Sequence, residues 1–317
     1  MTDRPVQLEN VAKRYGAFTA VNDLSFSVAK GEIYGFLGPN GAGKTTTLRM
    51  MLDIVRPSEG RISILGATSA IDVRRRIGYL PEERGLYRKM KAAQSIAYFA
   101  QLRGLSGRDA KKRAHALLEE FGLGEFARAK NEALSKGMAQ KVQLLATIAH
   151  EPELLILDEP FSGLDPINQQ TLGKLIADQR ANGRTIIFST HVMQHAERLC
   201  DRFLIIAKGT KRFEGTLSEA RAGYGRRLHV RSSAPAAAFE ALRGVVGVRL
   251  ERNGGAESDY EIELADGADP QDFLRQAVAA GIVLTRFEQA GATLHDIFVA
   301  LAGDEAHETA RIAEAAE

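Results

Sequence analysis

Short apolar runs recur along the first two thirds of the chain, each four or five residues long and each ending at a polar turn. They are Ile33–Leu37, Ile77–Leu80, Leu154–Leu157, Thr185–Ser189 and Phe203–Ala207. Short apolar runs of this length suit buried strands. Helical periodicity follows several of them, over Thr45–Leu52, Pro166–Ala181 and Met193–Leu199. This alternation predicts a layered α/β domain with a largely parallel sheet. Val6–Val11 and Asp23–Val28 predict strands of a separate antiparallel layer. Between Glu83 and Ala149 the strand pattern stops. Ala92–Leu102, Asp109–Phe121 and Met138–Ala149 take the helical period, with Leu117, Leu118 and Phe121 on one inward face. An all-helical insertion over about 84–150 is expected.

From Tyr224–Arg231 onward the pattern changes again. Leu228–Arg231, Val246–Arg252, Asp259–Leu264 and Ile282–Phe287 predict strands, Pro270–Ala280 and Leu294–Leu301 predict helices, and Asn253-Gly254-Gly255 marks a turn. The expected organisation is an α/β domain over 1–222, a small C-terminal α+β domain over 223–303, and a short polar tail over 304–317.

Charge supports a boundary. From Arg221 onward there are ten arginines, no lysine and sixteen acids, a net −6; the remaining 32 bases and 24 acids give the preceding part +8. A net charge of +2 over 317 residues excludes neither nucleic acid nor an acidic partner. The single cysteine, Cys200, rules out a disulfide framework or a cysteine-based zinc site and fits a reducing compartment. The first residues lack the apolar run of a signal peptide. No stretch approaches the ~20 apolar residues needed to span a bilayer, so a membrane crossing by this chain alone is not expected.

The chemistry begins at Gly38-Pro39-Asn40-Gly41-Ala42-Gly43-Lys44-Thr45. It fits the G-x-x-x-x-G-K-[ST] phosphate loop and lies between a predicted strand and a predicted helix. Glycines let backbone N–H groups meet phosphate oxygens, and the helix N-terminus adds positive potential. Lys44 is expected to reach the β- and γ-phosphates, Thr45 to bind Mg²⁺, and Thr46 to donate to a further phosphate oxygen. The strand Leu154–Leu157 then delivers Asp158 and Glu159, followed by Pro160. Asp158 is expected to hold Mg²⁺, and Glu159 to polarise the attacking water.

With these residues the chain, over about Val6 to Gly215, resembles the ABC transporter ATPases. Leu134-Ser135-Lys136-Gly137-Met138 stands where that family has its LSGGQ signature. Ser162-Gly163-Leu164-Asp165 stands as the D-loop, His191 as the switch histidine, and Tyr15 as the aromatic that stacks on adenine. The resemblance implies a P-loop NTPase (ABC ATPase) core with an antiparallel β layer and a helical subdomain, and ATP with Mg²⁺ as ligands. It also implies two facing ATPase subunits, a homodimer as first expectation, beneath a separate transmembrane permease on the cytoplasmic face of the membrane. Ser135 and the backbone of Gly137 would contact the γ-phosphate bound to the other copy, His191 would hold the γ-phosphate at its own copy's site and orient Glu159, and Asp165 would couple the two sites. The run Tyr79–Tyr87, the C-terminal domain and Thr293–Phe298 resemble a bacterial subgroup serving exporters, some annotated for sodium or drugs.

Two positions depart from the family pattern. Glu82 occupies the Q-loop glutamine position, where it could ligate metal or pair with a cation. Lys136 and Met138 alter the signature but leave Ser135 and Gly137. Arg84, Leu86, Tyr87 and Met90 are candidates for the permease-facing surface. The rival class, a soluble ABC ATPase acting on ribosomes or DNA, lacks support: the chain has one phosphate loop, no long coiled coil, one cysteine and no basic stripe interleaved with aromatics. Lys111-Lys112-Arg113 and His195 read as solvated helix positions. Asp266, Asp269 and Asp272 read as acids favouring a helix start rather than a calcium loop. A regulatory role for the C-terminal domain is the third reading, and its acidic balance argues against nucleic acid.

Overall fold

The computed structural model describes residues 3–83, 85–222, 227–265, 267–290 and 292–302. Arg84, Asp266, the predicted domain start at Tyr224 and the tail over 304–317 lie outside them.

The chain opens with two long strands, β1 (Val6–Tyr15) and β2 (Phe18–Val28), paired antiparallel. The strand β3 (Ile33–Leu37) follows, every residue of it buried, and runs through the phosphate loop into α1 (Lys44–Met51). The next strands are β4 (Glu59–Ile64) and β5 (Ile77–Leu80). The helices α2 (Ala92–Leu102), α3 (Gly107–Glu120) and α4 (Lys136–Ile148) form the insertion. Alternation then resumes with β6 (Leu154–Asp158), α5 (Pro166–Ala181), β7 (Thr185–Thr190), α6 (Met193–Leu199), β8 (Arg202–Ala207) and β9 (Thr210–Gly215).

These strands make two sheets. One has the order β2-β1-β4; the other has the order β5-β6-β7-β3-β8-β9 and is parallel except for β9. The parallel order brings the C-terminal ends of β3, β6 and β7 side by side, with Leu37 paired to Thr190 and Asp158 to Ser189. In open α/β sheets ligands bind at the C-terminal ends of the strands. Two apolar clusters hold the layers. One joins Phe26, Tyr34, Phe36, Leu48, Met50 and Ile187 between the two sheets. The other joins Ile96, Leu117, Leu145, Phe161 and Phe188 beneath the helical insertion.

The second compact unit, Thr216–Leu301, begins with α7 (Leu217–Ala222) and continues through β10 (Arg227–Ser232), α8 (Ala236–Glu240), β11 (Val245–Asn253), β12 (Ser258–Leu264), α9 (Pro270–Ala279), β13 (Leu284–Ala290) and α10 (Leu294–Ala302). Its sheet is antiparallel, in the order β11-β12-β10-β13. Strand alternation puts Leu228, Val230, Tyr260 and Ile262 against Phe239 and Phe273 of the helices. The opposite positions carry charge: Arg227, His229 and Arg231 stand opposite Glu263, Glu261 and Asp259. Asp269 caps α9 by accepting from the Gln271 N–H, and Asp272 lies in its first turn, so these two acids serve a helix start.

Elements lacking an apolar run were not expected from the sequence. β4 and β9 are exposed or half-buried over most of their length, and α8 is a five-residue, alanine-rich turn of helix.

Candidate active site

The phosphate loop is fixed by what surrounds it. Gly43 has φ +102°, and a Cβ there would lie 2.5 Å from the Ala20 carbonyl oxygen. A Cβ on Gly38 would strike the Ile206 carbonyl oxygen. Only glycine fits both positions. Gly41, at φ +80°, has open space beside it and is exposed together with Asn40, whereas Ala42 is buried. The loop is therefore open at Asn40 and Gly41, just before the N-terminus of α1. Thr45 and Thr46, half-buried, lie in the first turn of that helix.

Lys44 is buried, with 6% of its side chain exposed. Its Nζ donates to the carbonyl oxygens of Gly38 at 2.7 Å and Pro39 at 3.2 Å, and lies 3.4 Å from Glu159 Oε1. Burial lowers the Lys44 pKa, while the carboxylates of Glu159, Asp158 and Glu82 act in the opposite direction. Asp158, at the end of β6, is 1% exposed. Its Oδ1 accepts from Ser189 Oγ at 2.5 Å and Thr45 Oγ1 at 3.4 Å, and its Oδ2 is buried without a hydrogen-bond partner. Burial raises the Asp158 pKa against the donors that favour the carboxylate.

Glu159 turns the chain at φ +46°, a conformation uncommon for a residue with a side chain. Its N–H donates to Ser189 Oγ at 2.9 Å. The turn places its carboxylate 3.0 Å from His191 Nδ1, at ion-pair distance but without hydrogen-bond alignment. Burial opposes the charged form, yet His191 and Lys44 together hold the Glu159 pKa below its ordinary value. Glu159 is thus held as a carboxylate and is available to accept a proton.

Ser189, next to last in β7, was not singled out from the sequence. It positions both carboxylates at once. The fold thus brings together Lys44, Thr45, Asp158, Glu159, Ser189 and His191.

The other sequence-predicted residues lie outside this hydrogen-bonded cluster. Ser135 is exposed and caps α4, its Oγ accepting from the Met138 N–H at 3.2 Å. Gly137 is buried, and a Cβ there would lie 2.5 Å from Asn168 Nδ2. Lys136 lies over Gly163, so the signature packs on the D-loop of its own chain. Asp165 is exposed and caps α5 by accepting from the Asn168 N–H at 3.0 Å. Tyr15 is 49% exposed, with Lys13 Nζ 4.9 Å from its ring centroid; Phe18, exposed across the turn, was not foreseen. Glu82 is exposed and acts on Lys44 through its field. The expectation of a solvated His195 is corrected: its ring centroid lies 4.2 Å from that of Phe161, and its Nε2 lies 3.2 Å from Gln169 Oε1.

A strand–loop–helix phosphate cradle facing two buried strand-end carboxylates defines a P-loop nucleotide-hydrolysing domain. Residues 21–162 match the ABC transporter family, and residues 215–302 match the C-terminal domain of DrrA1-3-like ATP-binding proteins. The ABC transporter ATP-binding protein YhaQ of Bacillus subtilis is 36% identical over 93% of this chain and 98% of its own length. The daunorubicin resistance ATP-binding protein DrrA3 of Streptomyces coeruleorubidus is 33% identical over 96% and 98%. The Nod factor export ATP-binding protein I of Burkholderia orbicola is 41% identical over 68% and 72%. A solved ATP-binding subunit of an ABC transporter superposes with a TM-score of 0.64 at 35% identity, covering 69% of this chain and 92% of that one. The chain belongs to the ATP-binding subunits of ABC transporters. It is an ATPase.

Proposed function

We propose that this chain binds MgATP on its phosphate loop and hydrolyses it within a head-to-tail dimer, driving export through a separate transmembrane permease. One observation carries the dimer. Lys44, Asp158, Glu159 and His191 converge within one chain, while Ser135 and Gly137 have no hydrogen bond to that cluster among the described residues. A second copy, turned head to tail, supplies the signature to the γ-phosphate. Closure then depends on ATP, because the nucleotide bridges the two copies and ADP lacks the bridging phosphate.

The donor set fits Mg²⁺, which prefers oxygen ligands and is held by few protein groups beside phosphate. Thr45 Oγ1 and the unpartnered Asp158 Oδ2 would hold it, with Glu82 as an outer candidate. When bound, the metal neutralises phosphate charge. The chain's own residues do the rest. Gly38, Asn40, Gly41, Ala42, Gly43 and Thr46 shape the cradle, and Lys44 stabilises charge on the phosphates. Glu159 accepts the proton of the attacking water, His191 orients Glu159 and the γ-phosphate, Tyr15 stacks on adenine, and Asp165 reaches the facing copy.

The permease docks on the helical insertion. A cavity of about 120 Å³ lined by Tyr79, Pro81, Gly85, Phe99, Gln143 and Thr147 opens there. Beside it Tyr87, 54% exposed, packs against Tyr98 and Phe99. Leu86 and Met90, both half-buried, belong to the same segment. Among the described residues no helix is long and apolar enough to cross a membrane, and a permease places the chain at the cytoplasmic face. The DrrA-like C-terminal match and the names of the export and resistance relatives support export. The acidic balance after Arg221 supports a reading without nucleic acid.

Affinity purification from detergent-solubilised membranes tests this reading. A polytopic membrane protein in stoichiometric amount is expected. Ribosomal or chromosomal partners with no membrane protein would overturn it.

A further inference from the structure

The segment from Glu159 to Asp165 carries two tasks on the reading above: its first residue is the general base and its last reaches the facing copy. It is held from several sides. Ser189 takes the Glu159 N–H at 2.9 Å, and Gln140 Nε2 of α4 donates to the Pro160 carbonyl oxygen at 3.2 Å. These anchors account for the start of the segment. Its remainder, Phe161 to Leu164, packs on Phe188 and under Lys136, and is also held by two side chains that no motif includes, His195 of α6 and Gln169 of α5.

Their hydrogen bonds form a chain with a defined polarity. Gln169 Nε2 donates to the Leu164 carbonyl oxygen at 3.0 Å. Its amide orientation is therefore fixed, and Oε1 is left to face His195 Nε2 at 3.2 Å. An amide oxygen only accepts, so Nε2 of the imidazole carries the proton. The same ring packs on Phe161, with centroids 4.2 Å apart and planes 31° from parallel. Phe161 is 4% exposed and also meets Phe188 of β7 edge-on, at 5.9 Å. One imidazole thus grips Phe161, two residues after Glu159, and through Gln169 grips Leu164, one residue before Asp165. It sits four residues after His191, which touches the Glu159 carboxylate. The neutral ring suits this task. Burial pushes the His195 pKa down to about 4, so the N–H···O contact is unchanged across the neutral range.

We propose that His195 is a positioning residue which, through Gln169 and Phe161, locks the Glu159 loop and the D-loop into one rigid unit, so that Glu159 is aimed only when the D-loop is seated. This rests on Glu159 being the general base. His195 acts on turnover through the loop. A base displaced by a fraction of an ångström loses rate without losing substrate binding.

The test is a double-mutant cycle in the full chain, read by steady-state ATP hydrolysis, nucleotide affinity and thermal melting, with Glu159→Gln as a parallel control. His195→Ala and Gln169→Ala should each lower kcat about tenfold with the ATP KM within twofold of the parent. The double variant should be no slower than the slower single variant, because both substitutions break one link. His195→Gln, which can still offer an N–H to Gln169, should recover part of the lost rate at an unchanged KM. An unchanged kcat in His195→Ala, or effects that multiply in the double variant, would overturn the proposal. If Glu159→Gln hydrolyses normally, the base assignment itself fails, and the brace with it. If Glu159→Gln is inactive while His195→Ala is normal, the brace alone fails.

Discussion

The two units place their charges in opposite ways. In the first unit Lys44, Asp158 and Glu159 are 6%, 1% and 7% exposed and converge on one point. Asp158 Oδ2, Glu159 Oε1 and His191 Nδ1 there are buried without hydrogen-bond partners. In the second unit charges cover the outer face of an antiparallel sheet as solvated pairs, such as Arg231–Asp259 at 2.8 Å and Arg249–Glu261 at 3.2 Å. Even His229, Glu251 and Glu261, which converge closely enough to suggest a metal site, are matched by Arg227 and Arg249 on Glu261. Buried charge with unfilled hydrogen-bonding capacity is costly and persists where it does chemistry, even where, as at Glu159, a cation lies within ion-pair distance. Paired surface charge is inexpensive and confers solubility. Geometry alone, several charged groups close together, does not separate the two cases; burial and leftover hydrogen-bonding capacity do.

Substitutions can break that contrast. The largest effect outside the base itself is expected from Ser135→Arg. It removes the α4 cap, worth about 1 kcal/mol, and it places a bulky cation where the facing copy's phosphate must lie. ATP-dependent dimers should disappear in size-exclusion chromatography while ATP binding by the monomer persists. Dimers forming as in the parent would count against the facing-copy arrangement.

A pH effect comes next. Burial pushes His150 and His195 down to about 4. An unfolded histidine titrates near 6.5. Above that pH neither state is protonated and stability is complete. As pH falls from about 6.5 toward 4, the unfolded chain takes up protons first and stability declines. The Tm should fall over this window, and His150→Gln should shrink the decline. An equal decline in that variant would assign it to other groups.

Glu82→Gln should have a smaller effect. Its charge is exposed and acts at a distance on the phosphate site, so removing it should lower the ATP KM about two- to threefold. A tenfold loss of turnover would instead place Glu82 on the metal. The smallest effect belongs to the second unit. Arg231→Ala breaks a solvated pair and should move the Tm by no more than about 2 °C, with hydrolysis unchanged.

What could be read from the sequence follows the same division. The phosphate loop, the Asp158-Glu159 pair and the parallel strands were legible because each is local: a motif of fixed spacing, or an apolar run set off by a turn. β9 escaped because Thr210–Gly215 is a polar edge strand, and β4 escaped for a similar lack of burial. Ser189 and His195 escaped for a different reason. Ser189 acts across 31 residues on Asp158, and His195 acts across 26 residues on Gln169. Only the strand order and the meeting of α5 with α6 make such contacts, and a single sequence carries no local trace of them. His195 in particular sits in a short helix beside the polar Gln194, Glu197 and Arg198, and only its contacts with Phe161 and Gln169 take it out of solvent.

The account turns on Glu159 as the base of the site. Glu159→Gln keeps the shape of the side chain and removes its capacity to accept a proton. Hydrolysis and ATP-dependent association should be measured together on the purified variant. The predicted result is turnover lowered by about 10²–10⁴-fold, with ATP retained in a stable dimer. Turnover at the parent rate, with no trapped dimer, would contradict the account.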